Sequence, residues 1–332
     1  MFEHRARVVD LGQEVTLASI QEAARAIRPY VVRTPTLRLE RLSEKLGRPV
    51  VGKLEPLQHT GAFKVRGAFN RMLHLTDDEV AAGVVAVSGG NHGLAVAYAA
   101  RELGVEATLL MPATTAASSV RQARADGAKV EIMETIAEVF AHAVHEVEAG
   151  KVMIHPFDDP AVIAGQGTLA LELYDDEPEL TDVIASIGGG GMITGVATAL
   201  RALNPDIRIW GVETGGADAM TRSLQAGEPV TLDGITSIAT TLGAPTVSTR
   251  TLSAVQSLVE EVILVEDAEA VEGIDALAEA AKLITEPAAG CTWAAAQRLQ
   301  SRLPANARVA LIVCGGNASL TDIAAWRSRF LG

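Results

Sequence analysis

One lysine and three glycine turns carry the chemistry-capable residues of this chain. In Gln58-His59-Thr60-Gly61-Ala62-Phe63-Lys64-Val65-Arg66-Gly67-Ala68, Lys64 follows an apolar strand-like run at 50–55 and opens a helical pattern through Phe69, Met72 and Leu73. A lysine in a first helical turn faces the positive end of the helix dipole, which disfavours its charged form. Shielding from water lowers its pKa further and turns the amine into a nucleophile and base. A single lysine in such a pattern is more often a plain surface residue, so the other stretches decide its reading.

Gly188-Gly189-Gly190-Gly191 stands between an apolar strand and the start of a helix. Backbone N–H groups without side chains can converge on an anion there, helped by the helix dipole. No Lys or Arg occurs from Gly188 to Leu200, so amides would have to hold a phosphate. The dinucleotide fingerprint fails because Ile193 and Thr194 replace its last glycine, and the Walker pattern lacks its lysine. Ser88-Gly89-Gly90-Asn91-His92-Gly93 takes the same position after an earlier strand, with a hydroxyl and an amide suited to a carboxylate or a ring hydroxyl. Cys314-Gly315-Gly316-Asn317 closes the last strand, and a lone cysteine there is by itself a core residue.

The elements that must position these residues alternate. Strands are expected at 84–88, 107–111, 129–133 and 151–154, with helices at 15–29, 94–103, 116–126 and 135–149. A second series has a helix at 160–174, a strand at 182–187, a helix at 192–203 and strands at 207–212, 262–265 and 309–313, with a less regular section at 214–250. Strand–helix alternation predicts parallel sheets covered on both faces, hence two α/β domains with a cleft between them.

The bulk composition narrows the class. At 332 residues, 48% hydrophobic and 21% charged, the chain is a folded globular protein. A net charge of −13 argues against nucleic-acid or anionic-membrane partners. Two cysteines, Cys291 and Cys314, give no disulfide framework, and Met1-Phe2-Glu3-His4-Arg5 lacks a signal-peptide core, so a cytoplasmic location is expected. His142 and His145 are three apart on a predicted helix, with no matching metal ligands evident.

Taken together and in order, these motifs resemble the fold type II pyridoxal-phosphate enzymes, in their serine/threonine dehydratase and serine racemase branch. His155-Pro156-Phe157-Asp158-Asp159-Pro160, Ile163-Ala164-Gly165-Gln166-Gly167-Thr168 and Glu286-Pro287 extend the match over nearly the whole chain. The resemblance implies a tryptophan synthase β-like pair of open parallel-sheet domains, 1–75 with 158–332 forming the large cofactor domain and 76–157 the small one, with the cofactor in the cleft. It implies that Lys64 holds pyridoxal 5'-phosphate as a Schiff base, that Phe63 packs on its ring and that Asn91 bonds its 3-hydroxyl. Gly188, Gly189, Gly190, Gly191 and Met192 would hold the phosphate, with Glu286 and Cys314 completing the cofactor site. Ser88, Gly89, Gly90, Asn91, His92 and Phe157 would bind the amino-acid substrate. Cys314 takes the place facing the pyridine nitrogen, where a neutral thiol, unlike a carboxylate, does not keep that nitrogen protonated.

The implied reaction is β-elimination: the freed Lys64 amine removes the Cα proton, the β-hydroxyl leaves, and serine or threonine becomes a 2-oxo acid and ammonia. Racemases of the branch use a serine where this chain has Gly89, which carries no proton, so racemisation is the alternative reading. A non-catalytic pyridoxal-phosphate or amino-acid binder is the alternative of another class. The family's divalent-cation site would use the Glu213 carboxylate, the Ala217 carbonyl and an acid two positions on, where Ala219 stands. Ala62 replaces the usual serine before Phe63-Lys64, and Ser237-Ile238-Ala239-Thr240-Thr241-Leu242-Gly243 lacks an Asp-Gly found in relatives. A homodimer is implied by the family alone.

Overall fold

The computed structural model describes residues 14–332, without the side chains of residues 136 and 137. The signal-peptide expectation for Met1 to Arg5 lies outside the described residues. By Cα proximity the chain divides into two units, one of residues 14–31 with Lys64–Gln166 and one of Val32–Phe63 with Gly167–Gly332. The sequence reading groups 1–75 with the larger domain. By packing, the helices Leu17–Ile27 and Lys64–Met72 lie instead with the 84–154 region, because Ile27, Val65, Phe69 and Met72 share one core with Val84, Leu109 and Ile154.

The larger unit is built on a sheet of β1 (Thr36–Arg38), β2 (Val50–Leu54), β7 (Asp182–Ser186), β8 (Arg208–Thr214), β9 (Glu261–Val265) and β10 (Val309–Val313), in the order β1-β2-β10-β7-β8-β9. All neighbours are parallel except β1, which runs antiparallel to β2. The central strands are mostly apolar because both faces are covered: every residue of β2, β7 and β10 is buried. From β7 the order runs outward through β8 and β9 one way and through β10 and β2 the other. Ligands of open α/β sheets bind beyond the carboxyl ends of the strands at such a reversal. The tetraglycine turn follows β7 and Cys314 follows β10, so both stand at that point.

The smaller unit repeats the logic. Its strands β3 (Val84–Val87), β4 (Ala107–Pro112), β5 (Lys129–Met133) and β6 (Val152–Met153) form an all-parallel sheet in the order β5-β4-β3-β6. The order reverses between β3 and β6. The Ser88 turn follows β3 and His155-Pro156-Phe157 follows β6, again at the carboxyl ends beside the reversal.

The two parallel-sheet domains agree with the alternation in the sequence. Differences fall at element ends. The helix expected from residue 94 begins at Asn91, and β8 extends to Thr214, which puts Glu213 inside a strand. The irregular section contains the helix Ala219–Ala226 and ends where the helix Thr249–Leu258 begins. Among the described residues no helix is long and apolar enough to cross a membrane.

Candidate active site

In the smaller unit, Lys64 is the first residue of the helix Lys64–Met72. Its Nζ donates to the carbonyl oxygen of Pro156 at 2.8 Å. Two bonds from the other end of the same helix fix the loop that supplies this carbonyl. Arg71 Nε pairs with Asp159 Oδ2 at 3.0 Å, and Asn70 Nδ2 donates to the Ala161 carbonyl at 2.7 Å. The other carboxylate oxygen of Asp159 accepts from the amides of Ala161 and Val162 at the start of the helix Pro160–Asp176. The apolar face of the lysine helix is anchored by Phe69, stacked on Tyr30 at 5.0 Å and edge-on to Tyr98 at 6.0 Å.

Two imidazoles lie within electrostatic reach of the lysine. His92 is buried and its Nε2–H donates to the Ile154 carbonyl at 2.8 Å, since a carbonyl only accepts. Burial first, and the Lys64 charge second, push its pKa down to about 3. His155 Nδ1 accepts from the amides of Phe157 and Asp158 at 3.3 and 2.8 Å, and its ring meets Phe157 edge-on at 4.7 Å. Its pKa is also lowered, mainly by burial. Both rings therefore stand neutral beside the amine. The His92 side chain is committed to holding the turn against β6, so a carboxylate at this turn would meet backbone amides and the Ser88 hydroxyl. That hydroxyl accepts from the Gly90 amide at 3.2 Å, and buried Asn91 opens the helix Asn91–Leu103.

In the larger unit the chain passes from β7 through Gly188, Gly189 and Gly190 into the helix Gly191–Leu203. Gly190 has φ +92°, and a Cβ there would lie 2.7 Å from Cβ of Thr251, so no other residue fits. The amides of Gly188, Gly189, Gly190, Gly191, Met192 and Ile193 have no acceptor among the described residues. A free helix end accounts for the last of these, not for Gly188 and Gly189. The Thr194 hydroxyl, also buried and without a partner, adds a further donor. This run of unanswered donors, with no cation in the stretch, fits the phosphate of pyridoxal phosphate.

Residues 60–63 pair like a short strand with the turn after β10. Phe63 N donates to the Cys314 carbonyl at 3.1 Å, Gly316 N to the Gly61 carbonyl at 2.9 Å, and Asn317 Nδ2 to the Thr60 carbonyl at 2.8 Å. Phe63 and Cys314 are both buried. Burial, then the neighbouring Glu286 charge, pushes the Cys314 thiol far up, so it stays protonated. The Glu286 carboxylate accepts from Thr241 Oγ1 at 3.0 Å and from Asn317 N at 3.3 Å, and its residue caps the helix Pro287–Leu299.

The suggested cation ligands are otherwise engaged. Buried Glu213 accepts from Met220 N at 2.9 Å on one oxygen and from Thr221 N and Oγ1, both at 2.7 Å, on the other. Burial raises its pKa to about 7. Asp218 Oδ2 pairs with Arg222 Nε at 2.9 Å, and Ala219 offers no ligand. Hard cations take about six or more oxygens. The Ala217 carbonyl with two carboxylates already in use falls short of that set, and no step of the chemistry is assigned to a metal.

Other contacts had no signal in the sequence. The Pro156 carbonyl is a backbone acceptor and carries no residue signature. Around His142 the structure brings together Glu131 at 2.9 Å and Glu146 at 3.5 Å, which no spacing rule connected. Lys129 and Lys151 neutralise these same carboxylates at 2.6 and 2.7 Å, so the cluster is an ion-pair network.

Comparison with known proteins bears on the same features. The family model described as pyridoxal-phosphate dependent enzyme matches residues 27–315. The chain is 39% identical over 306 residues to the L-threonine ammonia-lyase of Geobacter sulfurreducens, spanning 92% of this chain and 76% of that protein. It is 36% identical over 314 residues to a catabolic L-threonine dehydratase of Staphylococcus aureus, spanning 93% and 91%. Maize serine racemase superposes with a TM-score of 0.89 at 36% identity, covering 96% of this chain and 97% of that one. A match running from the first helix through the turn after β10, over a fold that sets glycine amides and a lysine at the carboxyl ends of parallel strands, leaves one conclusion: the chain belongs to the pyridoxal-phosphate-dependent enzyme family.

Proposed function

We propose that this enzyme is an ammonia-lyase that converts L-threonine and L-serine, or a close β-hydroxy amino acid, to a 2-oxo acid and ammonia. The observation that carries the reading is the run of unanswered amides from Gly188 to Ile193, which suits the phosphate of the cofactor this chemistry needs. Bound pyridoxal phosphate supplies the electron sink that makes Cα–H acidic and lets the β-substituent depart. Lys64 Nζ would hold the cofactor and would serve as the base that takes the Cα proton. The imidazoles of His92 and His155, whose pKa values burial lowers, stand neutral beside that amine. The Ser88–His92 turn receives the substrate carboxylate, and Phe157 lies on the loop that follows β6. The Cys314 thiol, held protonated by burial, would leave the pyridine nitrogen without a charged partner. Phe63 and Glu286 would frame that ring, and Asn91 would serve its 3-hydroxyl.

A second reading, amino-acid racemase, draws support from the likeness to maize serine racemase. Gly89 speaks against it, having no side chain to carry a proton to the other face of Cα. A homodimer in the cytoplasm belongs to the same proposal by family analogy. The net charge of −13 supports the absence of nucleic-acid and membrane partners. The test is release of 2-oxo acid from L-threonine and L-serine by cofactor-loaded protein, with and without chelator, beside chiral analysis of the remaining amino acid. Stoichiometric 2-oxo acid with little D-isomer is expected. D-isomer in excess over 2-oxo acid would overturn the assignment in favour of a racemase.

A further inference from the structure

β3 and β4 are parallel neighbours, paired from Val84↔Ala107 to Val87↔Leu110, and the chain leaves both at the same end of the sheet. One exit is the Ser88-Gly89-Gly90 turn. The other is the loop after Pro112, where Thr115 N closes a tight turn on the Pro112 carbonyl at 2.9 Å. The two exits touch closely. A Cβ built on Gly89 would lie 2.1 Å from Thr115 Oγ1, 2.8 Å from its Cγ2 and 2.9 Å from its Cβ. Every atom of the Thr115 side chain is thus in the space that a side chain at position 89 would take. Rotation about χ1 does not clear that space, because the Thr115 Cβ stays 2.9 Å away and two branches share three positions.

The hydroxyl delivered there has no assigned purpose in the fold. Thr115 Oγ1 is buried and has no hydrogen-bond partner among the described residues. The amides of Gly89, and of His92 and Gly93 in the helical turn that follows it, also lack acceptors among the described residues. A buried hydroxyl without a partner is unfavourable in a finished structure. Next to a turn of unanswered amides it is one donor of an incomplete anion site.

We propose that Thr115 is a substrate-binding residue of this enzyme: its hydroxyl, brought from the β4 loop into the space left by Gly89, donates to the amino-acid carboxylate. The proposal rests on the reading of the Ser88–His92 turn as the carboxylate site. It also makes Gly89 and Thr115 a coupled pair, in which a larger residue at 89 requires a smaller one at 115.

The experiment uses cofactor-loaded protein and two readouts. L-Alanine, which has no β leaving group, reports binding through the change it causes in cofactor absorbance, and L-threonine and L-serine report turnover. Thr115→Val keeps the volume and removes the hydroxyl. It should raise the L-alanine Kd and the substrate KM by roughly tenfold to a hundredfold, the value of a bond to a charged acceptor, with kcat within about threefold. Thr115→Ser should restore both. Gly89→Ser alone should lose activity, and Gly89→Ser with Thr115→Ala should regain it. Unchanged Kd and KM in Thr115→Val overturn the proposal, as does a Gly89→Ser enzyme that performs equally well with Thr115 present. Wild-type protein that binds L-alanine but turns over neither hydroxy amino acid would sink the ammonia-lyase assignment, while the Thr115→Val Kd would still decide this one. Wild-type protein that binds no amino acid would overturn both.

Discussion

The amide of Phe63 donates to the carbonyl of Cys314 at 3.1 Å, so the residue preceding the lysine is tied to the strand that ends in the buried thiol. The bond belongs to an antiparallel bridge between Ala62 and Gly315. It fixes Phe63 by backbone pairing, independent of whatever the aromatic ring itself meets.

Both cysteines should be silent in the folded protein. Cys291 and Cys314 are buried, and burial pushes both thiols well above their ordinary range. The thiolate is the reactive form, so an aromatic disulfide reagent at pH 7.5 should titrate no thiol quickly in native protein and both after denaturation. Prompt native reaction of either cysteine would show that its surroundings are not as dry as described.

Lys64→Ala should lower turnover by at least about 10³-fold, in keeping with the loss of a positioned base. Borohydride should no longer fix the cofactor to the chain. Lys64→Arg should not rescue either property, because a guanidinium stays charged and donates only. Fixation of the cofactor at another lysine in the Lys64→Ala protein would move the active centre elsewhere.

What could be read in advance follows from how each feature is encoded. Lys64, the Gly188–Gly191 turn and the Cys314 turn are marked by residue type at the end of apolar runs, and a reader of patterns meets them directly. The first turn of the helix at Asn91 reads as a loop in the sequence because Gly89, Gly90 and Gly93 break the helical pattern. The Pro156 carbonyl and the Gly89–Thr115 contact left no trace, since one is a backbone atom and the other depends on β3 lying beside β4. Glu213 stands where the resemblance places a cation ligand, and its carboxylate accepts donors at the start of the helix Ala219–Ala226, which the irregular composition of 214–250 conceals.

Acid should weaken the smaller unit through His92. Its pKa is about 3 when folded against an ordinary 6.5, so between these values the unfolded chain binds a proton that the folded ring refuses. Stability from this site is complete above 6.5 and is lost as pH falls, by about 2 kcal/mol at pH 5. His92→Gln retains a donor for the Ile154 carbonyl and does not titrate. Its urea midpoint should therefore fall less than that of the wild type between pH 7 and pH 5. Parallel curves would mean that His92 is solvated in the folded state.

Glu213 should act in the opposite direction. Its folded pKa is raised to about 7 from 4.5, by burial first and with a contribution from Asp218, against the pull of three donors from Met220 and Thr221. The folded state therefore holds a proton that the unfolded chain releases, and the stability it contributes is present below 4.5 and lost as pH rises through 7. The full swing is about 3 kcal/mol. Asp218→Asn removes the neighbouring charge and should reduce the swing, and Glu213→Gln should abolish it, both read as urea midpoints at pH 5 and pH 8. A divalent cation bound here would hold the carboxylate ionised and oppose the alkaline loss. Because the ligand set falls short of what such an ion takes, magnesium and chelator should leave the pH 8 midpoint alike. A magnesium-dependent rise at pH 8 that disappears in Glu213→Gln would show that the carboxylate turns from its helix donors to a metal.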